Sequence, residues 1–76
     1  MATYSPVTMS YTHTQAVASS TWTINHNLHQ AAPVVDIWID LDGVSTYIIP
    51  QSVTAPNDNT AVVEFSIPRA GIANVV

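Results

Sequence analysis

Three histidines, His13, His26 and His29, are the first candidates for chemistry in this chain. In "NHNLH" the spacing His-x-x-His can supply two ligands to a transition metal, with His13 as a third. Such sites need three or four ligands in fixed geometry, and in a threefold assembly one histidine per chain would meet its copies on the axis. The competing reading is a structural corner formed by His26, Asn27 and Leu28. There the imidazole bonds a loop group, and asparagine tolerates left-handed backbone while bonding its own main chain. The corner is the preferred reading, with His26 and His29 as the metal alternative, and no cofactor is expected.

The carboxylates offer less. "DLDG", Asp40 to Gly43, resembles the start of a calcium loop but lacks the later acceptors and closing glutamate that hard cations require. Asp36 and Asp40, four residues apart on a strand, stand about 13 Å apart, outside the roughly 5–9.5 Å of glycosidase carboxylate pairs. "ASST" brings hydroxyls without a histidine and acid placed as a nucleophile's partners. The chain is therefore read as a non-enzyme. Trp38 and Tyr47 are the better candidates: an outward tryptophan between two aspartates could stack on a sugar ring or on a neighbouring subunit. The alternative is that this face is covered by the N-terminal segment or by a second sheet.

Composition narrows the partners. The 76 residues carry one arginine, no lysine, five carboxylates and no cysteine, for a net charge of -4. One cation cannot make the row of phosphate contacts on which nucleic-acid affinity rests, and the net charge repels anionic lipid. Nucleic acid and membrane are excluded as expected partners. No apolar run approaches the ~20 residues of a spanning helix, and "MATYSPVTMSYTHTQ" lacks the basic and apolar regions of a signal peptide. Only 8% of residues are charged, against about 25% in ordinary soluble domains. With 47% hydrophobic residues the chain should fold, yet a domain this small buries only about 60% of its unfolded surface. Self-association is the expected supplement.

The elements that must position these residues are strands. Period-two alternation puts Trp22, Ile24 and His26 on one face of "TWTINH", and Val35, Ile37, Ile39 and Leu41 on the inner face of "VVDIWIDL". Asp42-Gly43 suits a tight hairpin to "VSTYII", which Pro50 ends. "SVT" is a short strand or edge piece before the turn formers of "APNDN". "TAVVEFSI" then presents Ala61, Val63, Phe65 and Ile67 inward, "PRAG" turns the chain, and "IANVV" is the last strand. The expectation is an all-β protein of about six to seven strands, a small antiparallel β-sandwich, immunoglobulin-like or an open barrel. Trp22, Ile24, Ile37, Ile39, Val63 and Phe65 form its core. Residues 21–76 make the domain, and residues 1–20, with a weak strand signal around Val7 to Tyr11, make an N-terminal arm or an edge strand.

The ordered set Trp22-x-Ile24-x-His26-Asn27-Leu28, Pro33, Gly43, Ile49-Pro50-x-x-Val53, Asn59-x-x-x-Val63-x-Phe65-Ser66-x-Pro68 and Gly71-x-Ala73 resembles a small β-sandwich module of tailed-bacteriophage virion proteins, found in tail fibres, baseplates and other tail-associated proteins. Modules of this kind usually follow "HNL" with glycine, where this chain has His29. They also usually belong to longer proteins, so this chain, taken as complete, would be a small accessory component of the particle. The resemblance implies a virion structural protein, made in the host cytoplasm, that attaches to or caps a tail, baseplate or fibre component. Its implied partners are itself, as a homo-oligomer with a trimer among the candidate states, and other virion proteins. The alternatives are a carbohydrate-binding module that takes a host-surface glycan on Trp38 and Tyr47, and a head or neck decoration protein.

Overall fold

The computed structural model describes residues 10–76, which form one antiparallel sheet of five strands and no helix. These are β1 (Tyr11–Asn25), β2 (Val35–Leu41), β3 (Val44–Ile48), β4 (Ser52–Asn57) and β5 (Thr60–Val75). The protein is thus all-β and antiparallel, with five strands in place of the six or seven expected. The difference lies at "PRAG". Pro68 to Gly71 does not turn the chain, and "TAVVEFSI" and "IANVV" are two halves of the single strand β5.

The reason is that proline and glycine here mark a bulge and a close approach of backbones. Between Glu64 and Arg69 of β5 the pairing to β1 shifts register, with Thr21 opposite Glu64 and Ser19 opposite Arg69. Pro68 falls in this stretch, where a missing N–H costs no ladder bond. A β-bulge bends its strand, and the bend is large. The rings of His13 and Trp22, nine residues apart on β1, have centroids 5.8 Å apart, whereas a straight strand would hold those residues about 30 Å apart.

β5 is the hub of the sheet. β1 pairs with both of its halves, and on its other side β4 meets the first half while β2 meets the second. β1 runs unbroken across residue 20, Tyr11–Gln15 pairing with Gly71–Val75 and Thr21–Asn25 with Thr60–Glu64. The weak strand signal at Val7 to Tyr11 falls, up to residue 9, outside the described residues.

The hydrophobic core gathers from both halves of the bent ribbon: Trp22, Ile24, Val63 and Phe65 from one, Ala73 and Val75 from the other, with Ile37 and Ile39 of β2. All are buried. Two positions depart from the inward alternation. Leu41, next to the hairpin tip, is 41% exposed, and Ile67, inside the bulge where period two breaks, is 50% exposed. Phe65 packs its ring on Trp22, centroids 4.8 Å apart. Replacing it with alanine is expected to cost ~3–5 kcal/mol, a loss to be read as a lowered midpoint in urea denaturation. A shift under 1 kcal/mol would remove Phe65 from the core.

Candidate functional site

The corner after β1 is built around a buried side chain. His26 is 3% exposed, and its Nδ1 accepts the Leu28 N–H at 3.1 Å, which puts the ring proton of the neutral form on Nε2. Nε2 is buried and has no hydrogen-bond partner among the described residues. Asn27 and His29 both take left-handed backbone, φ 55° and 51°. The Asn27 N–H donates to the Asn59 carbonyl at 3.2 Å, the His29 N–H to Asn59 Oδ1 at 3.1 Å, and the Gln30 N–H to the Asp58 carbonyl at 2.8 Å. The corner is in this way tied to the β4–β5 turn, where Asn57 Oδ1 accepts the Asn59 N–H at 2.9 Å.

Asn59 joins the corner through contacts that no spacing in the sequence announces. The histidines do not converge with other ligands. His29 is exposed, and His13 is half-buried, with its Nε2 2.8 Å from Gln15 Oε1. Among the described residues no group of three or more histidines, cysteines or carboxylates is placed to hold a metal ion.

His29 carries a side chain in a conformation that favours glycine. His29→Gly keeps the backbone bond to Asn59 and relieves the left-handed penalty, at some cost in unfolded-state entropy. The expected net result is a stabilisation of up to about 1 kcal/mol, seen as a raised midpoint in thermal or urea unfolding. A destabilised variant would mean that the imidazole itself holds the corner.

Trp38 and Tyr47 lie elsewhere, on the outer face of the β2–β3 hairpin. Asp42 and Gly43, φ 53° and 83°, form the tip as the two positive-φ residues of a primed turn. That turn sets the register Trp38↔Tyr47 and Asp40↔Ser45. On its other side Trp38 faces Ile72 of β5, so Ile72, Trp38 and Tyr47 form one row across three strands. The three are 42%, 39% and 50% exposed. The Trp38 and Tyr47 rings meet edge to face, centroids 5.4 Å apart at 61°, an arrangement that fixes the tryptophan's plane.

Beside this row lies a cavity of about 220 Å³ lined by Trp38, Ile39, Asp40, Gly43, Ser45, Gly71 and Ile72. Asp36 and Asp40, two residues either side of Trp38, are exposed. Ile72 and Gly71 escape a reading of the sequence because their place on this face depends on the β2–β5 register.

The chain matches no family model, no curated protein and no solved structure with which it was compared.

Proposed function

We propose that this protein is a non-enzymatic structural component of a tailed-bacteriophage virion, attached to a tail, baseplate or fibre component through oligomeric contacts. On this reading the bent ribbon closes the sheet into a small β-sandwich or open barrel, and the exposed strand edges are contact surfaces. The observation that carries it is the strand β1: fifteen residues, none charged and none proline, at the edge of the sheet, with β5 its one partner among the described residues. Free domains guard such an edge with lysine, proline or a covering segment, because its unpaired backbone groups template another strand. Exposed aliphatic residues add to the case, Val17 at 77%, Ile49 at 84% and Val34 at 63%.

Light scattering on the full chain over a range of concentrations tests the self-association. The expected result is a stable oligomer that Val17→Lys, a charge placed on the edge strand, dissociates. A monomer at every concentration removes the homo-oligomer. Mass spectrometry of purified particles of the phage that encodes the chain tests the address, tail or head.

The outward Trp38–Tyr47 pair favours a second reading, a carbohydrate-binding module for host attachment. Glycan binding lost in Trp38→Ala with assembly intact would favour it.

A further inference from the structure

We infer that the Trp38 face is a receptor for one cationic side chain, most fittingly an arginine, presented by the protein to which this chain attaches. The inference rests on the virion-attachment reading above and names the chemistry of the partner. The hairpin β2–β3 with its tip carries Asp36, Asp40 and Asp42 and no cation, and the chain's one arginine or lysine, Arg69, pairs with Ser19 at the bulge of β5.

Ionised carboxylates only accept hydrogen bonds, so Asp36 and Asp40 select a ligand rich in donors. A guanidinium offers five donors and no acceptor, and it stacks on aromatic faces. Along β2 each aspartate stands about 7 Å from Trp38, so a cation over the indole lies between two negative groups. A cation–π contact contributes roughly 0.5–2 kcal/mol, increasing with desolvation. The Tyr47 ring, edge-on to the indole at 61°, holds the plane of Trp38 from outside the cavity lining.

Size points the same way. The cavity of about 220 Å³ on the Asp40 side of Trp38, which Asp36 does not line, is smaller than the roughly 300–1,000 Å³ of small-molecule sites, and suits a single long side chain. The site is also preformed, because the primed turn, the register and the edge-to-face contact all hold Trp38 before any partner arrives. A sugar hydroxyl can also donate to a carboxylate, but a neutral sugar gains no charge attraction from the two aspartates, as a guanidinium does.

The test is a heteronuclear NMR titration of the full chain with the peptide acetyl-Gly-Arg-Gly-Arg-Gly-amide. Its citrulline counterpart, which has the same shape without the charge, and maltotriose are the comparison ligands. The expected result is saturable shifts of the Trp38 indole N–H and the Tyr47 amide with the arginine peptide alone. Binding should weaken about tenfold in the double variant Asp36→Asn, Asp40→Asn, and the Tyr47 amide shift should be lost in Trp38→Ala. Both variants are surface changes whose spectra report directly whether the fold is kept.

Equal binding of the citrulline peptide, unchanged affinity in the asparagine variant, or no saturable shift overturns the inference. Shifts with maltotriose alone also overturn it, and would advance the glycan reading. Failure here leaves the attachment reading standing if the chain is found in purified particles. Absence from particles together with arginine binding would instead sink the attachment reading while retaining the site.

Discussion

Trp22→Ala is expected to leave the chain unfolded at 25 °C. Trp22 has no exposed surface and belongs to the core cluster, with its ring against Phe65 on one side and His13 on another. Truncating a buried tryptophan costs ~3–5 kcal/mol from lost transfer energy and the cavity left behind. A domain of this length has only roughly 4–11 kcal/mol of stability in total.

A second loss adds to the first. The indole N–H donates to two carbonyls at once, Ser19 at 3.1 Å and Arg69 at 3.0 Å, the residues that face each other at the bulge. The side chain therefore fastens the bend in the β1–β5 ribbon as well as filling the core, and its removal leaves both carbonyls without that donor. Trp22→Phe separates the two roles. It keeps an aromatic ring in the core and deletes the N–H, for an expected loss of about 1–3 kcal/mol. Urea denaturation followed by far-UV circular dichroism reads both variants. If Trp22→Ala unfolds cooperatively within 1 kcal/mol of the parent, the indole does not hold the bend.

How much of this arrangement can be read in the residues depends on whether the signal is local. The β2–β3 hairpin is legible because two adjacent residues, Asp42 and Gly43, accept positive φ, and because the alternation from Val35 to Ile39 separates buried from exposed positions. The first half of β5 and the second half of β1 are legible for the same reason, since Trp22, Ile24, Val63 and Phe65 alternate with polar or exposed residues.

What the residues hide is the continuity of β1 and β5. "YTHTQAVASS" holds few large apolar side chains, and its strand is fixed by the partner residues Gly71–Val75 across the ribbon. "PRAG" carries turn formers, and their use as a bulge is decided by the tertiary bend. The corner shows the same division. Asn27 signals left-handed backbone by type. His29 in that conformation does not, and the role of Asn59 as acceptor for both segments depends on a contact thirty residues away. The outer face is half legible: Trp38, Tyr47 and the aspartates follow from alternation, while Ile72 and Gly71 join them through the β2–β5 register.

Gly71→Ala is expected to be nearly as damaging as the loss of Trp22, although it adds a single methyl group. A Cβ built on Gly71 would overlap the Trp38 carbonyl oxygen and stand 3.0 Å from the Ile39 Cα and 3.1 Å from the Trp38 carbonyl carbon. All three atoms are main chain of β2, the strand paired with β5 at this point, so no side-chain rotation relieves the contact and the two strands must part. Overpacking of side chains typically costs 1–3 kcal/mol, and a clash against backbone should reach about 3 kcal/mol or more.

The damage has a direction as well as a size. Moving β2 from β5 displaces Trp38, so the outer face should lose its geometry even in molecules that stay folded. Gly43→Ala is the informative comparison. No atom lies within 4 Å of a Cβ there, and the strain comes from φ 83° alone. It should cost about 1 kcal/mol while leaving the Trp38↔Tyr47 pairing in place. Urea denaturation gives the two stabilities, and amide exchange in β2 shows whether the strands have separated. Equal stability of the two variants would mean that β2 and β5 have room at Gly71 that this packing denies.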